Sequence, residues 1–180
     1  ISIENPFVYA IKAHNLNIVN VFIDFFGDNI SKQTSQINLG LTLLLEDYYN
    51  DNKNNDSDNS RNNYYHSNHF ILLVKRLLEF TNFATQITYR NDTFLTLAVK
   101  NSNIELLQLC LENLKDQQIF DEMSIENPFV FAIKKHNLGI VNTFIDYFGD
   151  NISKQTSQIN YGLTLLLEDY YNRNTRTPIG

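Results

Sequence analysis

Apolar residues recur three and four apart along this chain, in short blocks separated by a few polar residues. NIVNVFIDFF, from Asn17, and NIELLQLCLENL, from Asn103, hold aliphatic and aromatic side chains at helical spacing with Asn, Gln, Asp and Glu between them. That is the pattern of a helix buried along one face. Each follows a shorter apolar block, NPFVYAIK from Asn5 and TFLTLAVK from Thr93. The spacing predicts pairs of helices joined by tight turns. Asn5-Pro6 and Asn127-Pro128 are well suited to open a helix, because Asn caps with its side-chain oxygen and Pro at the first helical position forfeits no needed N–H.

The pattern repeats at two scales. Shifted by 122 residues, Ser2 to Asn50 aligns with Ser124 to Asn172 and differs only at Tyr9/Phe131, Ala13/Lys135, Asn17/Gly139, Val21/Thr143, Phe25/Tyr147 and Leu39/Tyr161. This is an internal duplication. A weaker period lies inside it: the blocks from Asn5, Thr93 and Asn127 superimpose with Ala10, Ala98 and Ala132 in one column, and those from Thr93 and Asn127 are 34 residues apart. LGLTLLLEDYY from Leu39 and YGLTLLLEDYY from Tyr161 each follow the preceding block by the same 34.

A period near 33 residues with two helices per unit is characteristic of a stacked solenoid. The sequence resembles the ankyrin repeat family. Asn5 to Ile11 match the first helix of that family's unit, Ile18, Val19, Val21, Phe22 and Ile23 match the second, and Thr93, Leu95, Ala98 and Ile104 to Leu111 match most closely. The departures are Val8, Thr42, Thr96, Val130 and Thr164 in place of the family's His, and His14, Ser102 and His136 where Gly is usual. The resemblance implies an all-α, ankyrin-like solenoid of helix-turn-helix repeats with long polar inter-repeat loops. Its units are expected at about 1–38, 39–92, 93–126, 127–160 and a half unit at 161–172, with a tail at 173–180.

Small residues at Ala10, Ala98 and Ala132 are expected where one helix presses on its neighbour. GDNISKQTSQIN, at 27–38 and again at 149–160, is made of turn formers and is expected to be a polar connector, irregular or hairpin-like. Residues 50–63, almost purely polar, are expected to form a disordered insert in the second unit. The last copy has no second helix, so Leu165, Leu166 and Leu167 are expected to need a continuing chain or a covering partner, possible self-association included.

Composition narrows the function. A formal net charge of −6 supplies no broad basic surface for nucleic acid or anionic membrane. The longest apolar stretch, around Phe70 to Leu78, is broken by Lys75 and Arg76 and is too short to span a bilayer. Cys110 is the single cysteine, falls in the buried column of its helix and fits a reducing compartment. The expected location is intracellular and cytoplasmic or, for an effector, secreted into a host cell.

Candidate chemistry is sparse. His66 and His69 form an HxxH pair with no evident third or fourth ligand, and Asp56, Asp58 and Ser60 begin like a calcium loop that Arg61 and Ser67 then break. No phosphate loop, nucleophile elbow or paired catalytic carboxylates are recognisable. No enzyme activity, cofactor or metal is therefore expected. The resemblance implies a protein-binding module instead, working through the exposed face of the first helices and the inter-unit loops. It carries that role to Lys12, Ala13, Glu46, Asp47, Lys100, Asn101, Lys134, Lys135, Glu168 and Asp169 on the helices, and to Lys32, Gln33, Lys154 and Gln155 at the loop tips. Along the stack these helix charges alternate in sign. Ankyrin-like arrays are frequent among effectors of intracellular bacteria, and the Asn- and Ile-rich, Trp-free composition fits an AT-rich genome. A host protein is thus one expected partner; a self-assembling segment or the docking part of a larger enzyme are the alternatives.

Overall fold

A computed structural model of the chain describes residues 5–53, 68–81, 87–114 and 127–175. These residues are all-α. In order they form α1 (Pro6–Lys12), α2 (Leu16–Phe26), a 3-10 helix (Gly27–Gln33), α3 (Thr34–Lys53), α4 (Asn68–Leu78), α5 (Phe94–Lys100), α6 (Ile104–Asn113), α7 (Pro128–Lys134), α8 (Leu138–Phe148), a second 3-10 helix (Gly149–Gln155) and α9 (Thr156–Thr175).

Asparagine starts most of the short helices. The side-chain oxygen of Asn5 accepts from Phe7 N–H at 2.9 Å, and those of Asn15, Asn103 and Asn137 accept from Ile18, Leu106 and Ile140 at 3.1, 3.0 and 3.2 Å. Each capping bond satisfies a donor that the helix leaves without an intrahelical partner. Thr93 does the same for α5, in a reciprocal capping box with Thr96.

The turns inside the pairs are three copies of one device. His14, Ser102 and His136 take left-handed φ values of 53°, 58° and 57°. Their N–H groups donate to Ile11, Val99 and Ile133 at 2.9, 3.2 and 3.0 Å, and the next residues, Asn15, Asn103 and Asn137, donate to Ala10, Ala98 and Ala132 at 3.0, 2.8 and 3.1 Å. These are Schellman closures. One asparagine therefore ends the first helix with its backbone and begins the second with its side chain.

Packing arranges the helices in two layers. In the first layer α1 lies against α3, α5 against α7 and α7 against α9; in the second α2 touches α4, α4 touches α6 and α6 touches α8. Each first-layer helix from α1 to α7 also meets the second-layer helix that follows it. The core runs between the layers. Phe7, Phe70, Phe94, Phe129, Phe144 and Tyr48 are its largest fully buried side chains. Cys110 is buried there too, as its apolar column predicts, and burial pushes its thiol pKa up to about 12.

Two connections differ from expectation. Residues 27–38 and 149–160 are helical throughout, a 3-10 turn running into the start of α3 or α9, so these are not the long polar loops that turn-former composition predicts. Ile30 and Ile37, both buried, explain the first: two apolar anchors seven residues apart hold a polar segment to the core as two helical turns. Residues 34–38 accordingly belong to α3, which begins at Thr34 rather than at Leu39. α3 also continues to Lys53, into the insert expected at 50–63; the remainder of that insert, His66 and the chain from 115 to 126 lie outside the described residues.

Candidate partner-binding face

The sequence places its candidate contacts on the first helices, and the structure sets those helices in one layer. Lys12, Lys100 and Lys134 each occupy the last turn of α1, α5 or α7, where a cation is favoured by the helix dipole. Ala13 and Lys135 follow as the C-caps of α1 and α7, and Asn101 is the C-cap of α5. Glu46 and Asp47 lie on α3, and Glu168 and Asp169 hold the matching positions on α9. Lys32, Gln33, Lys154 and Gln155 close the two 3-10 helices and are not loop tips.

Several of these charges have internal partners. Glu46 accepts a hydrogen bond from the Tyr89 hydroxyl at 3.0 Å, and Asp47 lies 3.4 Å from His14 Nε2. Burial lowers the His14 pKa more than Asp47 raises it, so the imidazole titrates below its usual range. Lys100 pairs with Asp92 at 2.5 Å, and Asp169 with Arg173 at 2.7 Å. The charges along the first helices thus fall into two groups. Glu46, Asp47 and Lys100 are bound to residues of other elements and Asp169 pairs one turn along its own helix, while Lys12, Lys135 and Glu168 stand exposed and Lys134 half-exposed.

The turn before α5 escapes sequence reasoning. Tyr89 and Asp92 exchange backbone hydrogen bonds at 2.8 and 3.0 Å across Arg90 and Asn91, both with positive φ, 52° and 68°. A two-residue reversal of this kind demands left-handed residues at both central positions. Asn91 was its only legible signal. Arg90 lies over the rings of Tyr49 and Tyr89, 5.7 and 5.6 Å from their centroids, and those two rings meet edge to face with centroids 5.4 Å apart, which fastens the turn to α3.

Beside this turn is a cavity of about 400 Å³ lined by residues including Arg90, Asp92, Lys100 and Phe131, between the turn and the ends of α5 and α7. Among the described residues no group of three or more His, Cys, Asp or Glu side chains converges as a metal site would require. None of the described helices is long and apolar enough to cross a membrane. No family model, curated protein or solved structure matches the chain.

Proposed function

We propose that the chain is an ankyrin-like solenoid that binds another protein through the exposed side of its first-helix layer. The observation that carries this reading is the pairing of like helices: α1 packs on α3, α5 on α7 and α7 on α9, while α2, α4, α6 and α8 pack in a row of their own. Stacked units of this kind present their first helices as one extended surface. The recurring helix-turn-helix pairs and the hairpin-like turn before α5 agree with an ankyrin unit, which joins a β-turn to two helices. The 3-10 connections and the long α3 and α9 are departures specific to this chain.

Lys12, Lys134 and Lys135 are the contacts this reading favours, because they project from the ends of two first helices and carry the same sign. They suit an acidic patch on the partner, which such a cluster would steer and orient. A host-cell protein fits the effector reading.

The test is affinity capture from eukaryotic cytosol with a photo-crosslinking residue at Lys135, compared with one at Gln108 on the exposed side of α6. One protein crosslinked from position 135, not from Gln108, and lost in a folded Lys12→Glu/Lys134→Glu variant that keeps the crosslinking residue at 135 is the expected result. Crosslinking from Gln108 alone, or capture indifferent to the charge reversal, would overturn it.

A further inference from the structure

The two copies of the duplicated segment have nearly the same sequence but not the same neighbours. Leu41, Leu45 and Tyr48 on α3 are fully buried, whereas their counterparts Leu163, Leu167 and Tyr170 on α9 are 48%, 70% and 71% exposed. Ile23 is 5% exposed and its counterpart Ile145 is 41%. Along α7, α8 and α9 the uncovered surface forms an apolar groove of about 400 Å³, lined among others by Phe129, Ile133, Val141, Ile145, Ile159 and Leu163. Every residue lining it has the same identity 122 positions earlier, and none of the six differences between the copies falls in it.

The first copy shows what that surface receives. There α4 packs against both α2 and α3. It presents Phe70, Leu73, Val74 and Leu77, all fully buried, which at i, i+3, i+4 and i+7 form one stripe of a helix. Phe70 stacks on Tyr48 with centroids 5.5 Å apart and an interplanar angle of 12°, and its ring lies 6.3 Å from that of His14. Arg76 Nε donates to Asn20 Oδ1 at 3.3 Å, and Asp24, Lys75 and Arg76 line one crevice. In the second copy Tyr170, His136, Asn142 and Asp146 hold the same four acceptor positions, and all four are exposed.

We infer that the α7–α9 groove is a docking site for an amphipathic helix of α4's chemistry: an aromatic residue followed at three, four and seven positions by aliphatic ones, with a basic residue two after the third. Helix-in-groove recognition uses this spacing of anchors. None of Lys12, Lys134 and Lys135 lines this groove, and Ile133 and His136, which do, flank the last two.

The probe is a fluorescent peptide spanning Asn68 to Phe80, closed by a lactam between Lys75 in α4 and Glu79 just past its end, both exposed and four residues apart. The lactam removes the helix-ordering cost that so short a free peptide would carry. Titrated with the 180-residue chain, the peptide is expected to bind saturably at one per chain. Leu163→Glu or Ile145→Glu, both at exposed positions, should weaken binding at least tenfold, as should Val74→Glu in the peptide. Phe25→Glu, on the exposed side of α2, should leave it unchanged. Absence of binding at millimolar chain, or equal weakening by Phe25→Glu and Leu163→Glu, would overturn the inference.

Discussion

Gly40 and Ile11 hold α3 and α1 closer together than any larger residue at position 40 allows. A β-carbon added at Gly40 would fall 2.6 Å from Ile11 Cδ1 and 2.9 Å from its Cγ2. Gly162 stands in the same relation to Ile133, with three side-chain atoms at 3.0 Å. A glycine inside a helix ordinarily weakens it; here it sets the spacing within the first-helix layer.

Gly40→Ala should therefore destabilise the chain by roughly 1–2 kcal/mol, overpacking outweighing the gain in helix propensity. Ile11→Val removes the nearest methyl and should recover part of that loss. Urea denaturation of the two single variants and the double variant reads the coupling, which should be favourable in the double variant. Additive losses would contradict the close approach.

The duplication supplies its own control for core packing. Tyr48→Ala should cost about 3–5 kcal/mol, since it empties a fully buried site stacked on Phe70. Tyr170→Ala removes the same side chain from the same local sequence where it is exposed, and should change stability by about 0.5 kcal/mol or less. Thermal melts of the two variants make the comparison.

His14 should make the fold pH-sensitive. Burial lowers its pKa in the folded chain despite Asp47, so the folded state holds this proton less readily than the unfolded one. The stabilisation is complete above the ordinary histidine pKa and is lost progressively as pH falls below it, until the folded imidazole is itself protonated. The urea midpoint should drop between pH 7.5 and pH 5.5, and His14→Asn, which tolerates a left-handed backbone, should reduce that drop.

Cys110 should resist thiol reagents in the native chain. Its thiol is buried and its pKa pushed up to about 12, which leaves almost no thiolate to react at neutral pH. Labelling should track global unfolding across a urea series; stoichiometric labelling within seconds in native buffer would contradict the buried placement.

The helix starts and the pairing of helices were legible because they rest on local chemistry: Asn caps, Pro6 and Pro128 at first helical positions, and apolar residues at helical spacing. Residues 27–38 have the composition of a loop, because their helical character depends on two isoleucines docking to a core that the segment does not itself contain. The left-handed turns at His14, Ser102 and His136 lack the expected Gly, since backbone closure onto Ala10, Ala98 and Ala132 sustains the conformation without it. On the candidate face, residue types and helix positions could be read directly. The partners of Glu46 and Asp47 could not, because Tyr89 and His14 come from elements more than thirty residues away in the chain. The groove beside α9 was visible only as an apolar run until its buried twin could be compared with it.

The most direct measurement is backbone amide hydrogen exchange by NMR over Gly40–Tyr49 and Gly162–Tyr171. The two stretches are identical in sequence, so their intrinsic exchange rates are closely matched and any difference reports structure alone. The α3 amides should exchange at least tenfold more slowly than the α9 amides, as they should if one sequence is core in the first copy and open edge in the second. Equal protection in both would contradict the unequal covering of the two copies, and with it the open groove.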